Sequence, residues 1–142
     1  VGSKPETERV SVARGSVHMK KETLRLIKSG KAAKGDVLGI AKIAGIMAAK
    51  KTSEIIPLCH PLNISSVDLT FVSDDKKNKI DIESRVKITG RTGVEMEALT
   101  AVAAAALTIY DMCKAVDKDM VISDVMLIEK KGGRSGVWKR KP

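Results

Sequence analysis

One stretch, Thr92 to Asp117 (TGVEMEALTAVAAAALTIYDMCKAVD), constrains the rest of the chain more than any other. It is the longest apolar, helix-permissive run and carries charges only near its two ends. Gly93 can release the chain from a preceding strand. Glu95 and Glu97 stand where acidic side chains favour a helix N-terminus, and Lys114 lies near the end that favours cations. The pattern predicts a helix from Val94 to about Val116. Leu99, Val102, Ala103, Ala106, Leu107, Ile109, Met112 and Cys113 are too many apolar positions for one narrow stripe, so this is the core helix, expected to be covered on several sides.

The same helix gives a geometric constraint. Glu97 and Asp111 are fourteen residues apart, about 21 Å along the axis at ~1.5 Å per residue. One small pocket cannot hold both. If Glu95/Glu97 and Asp111/Lys114 serve one site, the second pair must come from another subunit whose helix runs antiparallel across a two-fold axis. The run Ala103 to Ala106 suits such a close approach.

A chain of 142 residues, 43% of them hydrophobic, suffices for one core, and a single domain over residues 1–142 is expected. With one Phe, one Tyr and one Trp, that core must be aliphatic, and platforms for stacking nucleobases are scarce. The net charge of +9 favours anionic partners: nucleic acid, a membrane surface or a small phosphorylated substrate. Cys59 and Cys113 come without a secretory segment, and no apolar run is expected to approach the length of a membrane span, so a reduced, cytoplasmic setting is expected.

Residues Val1 to Val17 read as a polar start and a loop leading into an edge strand. Met19 to Lys28 places Leu24, Ile27 and Lys28 at helical spacing, with Ser29-Gly30 as the stop. Asp36 caps a second helix, Val37 to Lys51, whose Ala44-Gly45 and Ala48-Ala49 form a small-residue face for a close neighbour. Two prolines four apart make Thr52 to Asn63 a shaped loop. Ser65 to Ser73 and Ile80 to Ile88 alternate around a polar turn, the mark of an antiparallel hairpin. Met120 to Ile128 reads as a last strand, followed by EKKGGRSG and a basic end. Strand, helix, helix, two strands, helix, strand gives an α+β fold, a ferredoxin-like antiparallel sheet with helices packed on one face.

Four motifs carry possible chemistry, each with two readings. In PLCHP, prolines on both sides fix His60 in a defined direction, either for acid/base or substrate-orienting work or merely as a packed turn. Cys59 beside it has no second pair at ligand spacing, the only other histidine being His18, so no metal site is expected. Glu95 and Glu97 either accept from the paired N–H donors of a guanine-like edge or are simple helix N-terminal charges. Asp111 and Lys114 are either an acid/base pair whose lysine pKa burial lowers, or a surface ion pair. Lys130 to Gly136 (KKGGRSG) is either a phosphate-binding loop of free amides and three cations or a flexible basic tail. A basic oligomeric nucleic-acid-binding module therefore stands beside an enzyme as the alternative.

With these residues in view, the chain closely resembles the MoaC family, the cyclic pyranopterin monophosphate synthases. The resemblance spans essentially the whole chain and rests on KGDV at Lys34, IAGIMAAKKT at Ile43, IPLCHPL at Ile56, TGVEMEALTAVAAAALTIYDMCKAVDKDMVI at Thr92 and KKGGRSG at Lys130. Val1-Gly2 looks like the remainder of the family's usual MVDVG start. Lys130 and Arg134 stand where the family varies between Lys and Arg.

The resemblance implies a ferredoxin-like subunit, a homohexamer built as a trimer of dimers, and active sites shared at the dimer interface. It also implies a substrate, 3′,8-cyclo-7,8-dihydroguanosine triphosphate, supplied by the pathway's radical enzyme, and a product, cyclic pyranopterin monophosphate, with pyrophosphate released. By motif, Asp111, Lys114, Lys34 and His60 would be catalytic. Cys59, His60, Glu95, Met96, Glu97, Arg9, Lys50, Lys130 and Arg134 would bind substrate, although the Cys59 thiol itself reads as structural. No cofactor is implied, beyond Mg²⁺ accompanying the triphosphate or pyrophosphate, and neither membrane nor nucleic acid is an expected partner.

Overall fold

A computed structural model describes residues 6–134 and 136–142; the Val1-Gly2 start and Ser135 of the glycine loop lie outside them. The elements run β1 (Thr7–His18), α1 (Lys21–Ser29), α2 (Val37–Lys50), a 3-10 turn (Thr52–Glu54), β2 (Ser66–Asp74), β3 (Lys79–Gly90), α3 (Glu95–Cys113), β4 (Val121–Lys131) and β5 (Val137–Lys139). The strands form one antiparallel sheet in the order β2-β3-β1-β4-β5. The helices pack on one face of it, which is the α+β class expected.

Period-two alternation explains the hairpin. Ile80, Ile82, Ser84, Val86 and Ile88 of β3 are buried, and Val67, Leu69 and Phe71 of β2 face Val86, Ser84 and Ile82 in register. α3 lies over the middle of the sheet, where the Ser84 hydroxyl donates to the Ala98 carbonyl oxygen at 2.7 Å. A Cβ at Gly15 of β1 would stand 2.7 Å from Val102 Cγ1, so only glycine lets α3 sit this close. The small-residue face of α2 does what its sequence suggests: at Gly45 a Cβ would meet Leu69 Cδ2 at 2.7 Å and the Ala101 carbonyl oxygen at 3.0 Å.

Helix ends follow their local chemistry. Asp36 caps α2 by accepting from the Gly39 amide at 3.1 Å, and Gly30 ends α1 in the left-handed region at φ 73°. The N-terminus of α1 is capped from a distance. Buried Asp117, just past α3, accepts from the Lys20 amide and the Thr23 hydroxyl, each at 2.9 Å.

Three expectations need correction. β1 is the central strand, not an edge: it pairs with β3 and β4, and Val10, Val12, Ala13, Ser16 and Val17 are buried, so its alternation is blurred by cover on both faces. The basic end contains a further strand, β5, three residues long and too short for any period to show. α3 is covered on several sides as expected, by the sheet and by α2, with one side open where Leu107 is 60% exposed. That helix is also long and apolar enough to cross a membrane by composition alone, contrary to expectation, yet half of its apolar stretch is buried inside this protein.

Candidate functional site

α3 carries a charged cluster at each end. At its N-terminal end, Leu58, Cys59, His60, Leu62, Thr92, Gly93, Glu95, Met96 and Glu97 line a cavity of about 170 Å³. The loop supplies the first four because the 3-10 turn ends α2 and the segment from Pro57 to Asn63 adopts no regular structure. The chain rejoins the sheet at Ser65, whose amide donates to the Lys87 carbonyl oxygen. The first turn of α3 supplies the carboxylates.

Those two carboxylates have different surroundings. Glu95 Oε2 lies 3.6 Å from Lys130 Nζ, while its Oε1 is buried without a hydrogen-bond partner among the described residues. Glu97 is 4% exposed, and burial, reinforced by the neighbouring Glu95 charge, pushes its pKa above the ordinary 4.5 even though a backbone hydrogen bond opposes the rise. The pocket therefore offers one carboxylate partnered by a lysine and one biased toward its neutral acid.

The glycine loop lies beside this pocket. Lys130 is opposite Ser11 in register, and the next residues turn through Gly132 at φ 105° and Gly133 at φ 73°. The Gly132 amide donates to the Gly136 carbonyl oxygen at 3.0 Å, closing the loop. Arg9, on β1, is buried beneath it, whereas Arg134 at the loop and Lys50 at the end of α2 are exposed.

The second cluster is at the C-terminal end of α3. Lys114 Nζ is 2.9 Å from Asp111 Oδ1, and Lys34 Nζ is 3.6 Å from Asp111 Oδ2. Lys34 also donates to the Asp111 carbonyl oxygen at 3.2 Å, satisfying a group that helix geometry leaves unpaired. The hydrogen bond and charge of Lys114, then the charge of Lys34, hold Asp111 below the usual 3.8; the same hydrogen bond and charge of Asp111 raise Lys114 above 10.5. Burial does not lower the lysine pKa as one reading expected, because both side chains are exposed in the protomer.

The structure thus brings Cys59, His60, Glu95, Met96 and Glu97 into one pocket with Lys130 and Arg9 alongside. It holds Lys34, Asp111 and Lys114 apart at the other end of α3. Leu58, Leu62, Thr92 and Gly93 also line the pocket but are not among the site residues expected from the sequence, although they lie close to them along the chain. Among the described residues, no group of three or more His, Cys, Asp or Glu side chains is placed to hold a metal ion.

Comparison with known proteins adds one finding. The model of the MoaC family matches residues 1–133. The chain is 61% identical over 140 residues to the cyclic pyranopterin monophosphate synthase of Heliobacterium modesticaldum, covering 99% of this chain and 88% of that one. It is 60% identical over 141 residues to the synthase of the same name from Pelotomaculum thermopropionicum, with 99% and 83% covered. For that of Chloroflexus aurantiacus the identity is 61% over 140 residues, with 99% and 86% covered.

Proposed function

Because the chain belongs to the MoaC family, we propose that it is a cyclic pyranopterin monophosphate synthase. It converts 3′,8-cyclo-7,8-dihydroguanosine triphosphate to cyclic pyranopterin monophosphate and pyrophosphate, an early step of molybdenum cofactor biosynthesis. The observation that carries this reading is the pocket at the start of α3: two carboxylates, one of them buried and the other beside a lysine, next to a glycine loop.

Each part has a chemical use. Glu95 accepts from the N–H donors of the guanine-derived edge, and Glu97 can give as well as take a proton there. His60, held between prolines, orients the ring or transfers a proton, while Cys59 and Met96 form walls. Lys34, Asp111 and Lys114 supply the proton transfers that ring opening and pterin closure require. An internal hydroxyl then replaces pyrophosphate on the α-phosphorus, a step that needs positioning and charge neutralisation more than a covalent nucleophile. Lys50, Lys130 and Arg134 provide cations, and Mg²⁺ would travel with the phosphates.

The complete site is formed by two copies of the chain. A cavity of about 170 Å³ is small beside the ~300–1,000 Å³ usual for small-molecule sites. Leu58, which lines it, is 92% exposed. Ile40, Ile43 and Met47 of α2 and Leu107 of α3 are large apolar side chains left exposed on the two helices, which pack against each other. An antiparallel copy seated there sets Lys34, Asp111 and Lys114 of one chain against Glu95 and Glu97 of the other. Three such dimers give the hexamer, in a cytoplasmic setting that also holds the radical enzyme.

Incubating the protein with the cyclised triphosphate and following product by mass spectrometry tests the activity. Cyclic pyranopterin monophosphate and equimolar pyrophosphate are expected. Unchanged substrate under conditions where the protein is folded would refute it.

A further inference from the structure

Arg9 is the unusual cation of the site. It is only 8% exposed, yet no carboxylate among the described residues pairs with it. Its Nε instead donates to the Gly90 carbonyl oxygen, 3.0 Å away at the end of β3. The rest of its side chain is packed under the glycine loop. A Cβ on Gly133 would collide with Nη1 and stand 3.0 Å from Cζ and 3.2 Å from Nη2. A Cβ on Gly132 would stand 2.9 Å from Arg9 Cα and 3.0 Å from its Cγ, and would collide with the Glu8 carbonyl oxygen. The two consecutive glycines are therefore required twice over, for their positive φ and because Arg9 fills the space a side chain would need.

We infer that Arg9 is a positioning residue, the floor on which the turn through Gly132 and Gly133 is shaped, and that it supports phosphate binding through that turn. The chemistry fits a planar fork better than a point charge. One edge is anchored to the sheet through Gly90, while the flat guanidinium carries backbone that has no side chain to define its path. A loop held in shape before its ligand arrives loses less entropy on binding. This inference rests on the reading above that the loop takes phosphate.

The test uses the full chain with Arg9→Lys, which keeps the charge and loses the fork, and with Gly133→Ala in the native and Arg9→Lys backgrounds. Hydrogen exchange at the Gly132 and Gly136 amides reports the loop, exchange in β3 reports the fold, and calorimetry with tripolyphosphate reports binding. In Arg9→Lys, exchange in the loop should quicken at least tenfold and tripolyphosphate affinity fall at least tenfold, with β3 unchanged. Gly133→Ala should weaken binding in the native background and by a smaller factor in Arg9→Lys, where the clash with the guanidinium is gone and only the strain of a positive φ remains. Weakened binding with native loop exchange would make Arg9 a direct ligand and overturn the inference, as would native values for both. Faster loop exchange in Arg9→Lys, with no binding of tripolyphosphate by the native protein, would instead sustain Arg9 as the loop's support and overturn the phosphate reading.

Discussion

Glu97 shows how one side chain's surroundings decide its chemistry. A carboxylate in the first turn of a helix ordinarily gains from the helix dipole, but here burial outweighs that gain and favours the neutral acid. Because its folded pKa exceeds 4.5, the native state binds more protons than the unfolded chain between the two values, so stability falls as pH rises through the folded pKa. Glu97→Gln should therefore raise the melting temperature at pH 7 to 8 and leave it nearly unchanged below about pH 4, while lowering turnover; thermal melts across that range check it. At the other end of α3, Lys114 belongs to an exposed ion pair that adds little to stability. Lys114→Ala should lower turnover by about 10²–10⁴-fold, the usual weight of a general acid or base, with an unchanged circular dichroism spectrum. A folded variant with native turnover would remove Lys114 from the mechanism.

Among the elements, α1 depends on a residue far away in sequence. The Asp117 carboxylate is buried, which by itself would raise its pKa, but the Lys20 amide and Thr23 hydroxyl together hold it below 3.8. Asp117→Ala leaves both donors without their acceptor and should cost about 2 kcal/mol in a denaturant titration at pH 7. The cost should shrink as pH falls through the low folded pKa of the native protein, since the protonated carboxyl no longer makes the same bonds. None of this was legible in the sequence, where Asp117 is one more acid after a helix. Helices and the hairpin were legible, because Asp36, Gly30 and the alternation from Ile80 to Ile88 act locally. β1 was misread because a central strand buried on both faces loses the polar-apolar alternation that marks it, and β5 was too short to mark itself. The clusters were legible as residue types, and the α3 spacing showed that they stand apart. The loop floor under Gly132 and Gly133 was not, since it depends on Arg9 being buried from a strand more than a hundred residues earlier.

For the molecule as a whole, the layout of α3 is the main fact. A straight helix of nineteen residues cannot fold back on itself, so its two clusters, about 21 Å apart, serve one reaction only if a second chain closes the gap. The charge of +9 then has a small-molecule explanation, with lysines and arginines arranged around a triphosphate instead of along a nucleic acid. The exposed Ile40, Ile43, Met47 and Leu107 acquire a partner in the same step. Glu97→Ala and Lys114→Ala, each inactive alone, test this most directly when unfolded, mixed in equal amounts and reassembled. Half of the dimers should be hybrids, and in each hybrid one site receives intact residues from both chains, so activity should return to roughly a quarter of the native level. Hybrids verified by mass spectrometry that remain as inactive as either parent would show that the two ends of α3 never meet in one site.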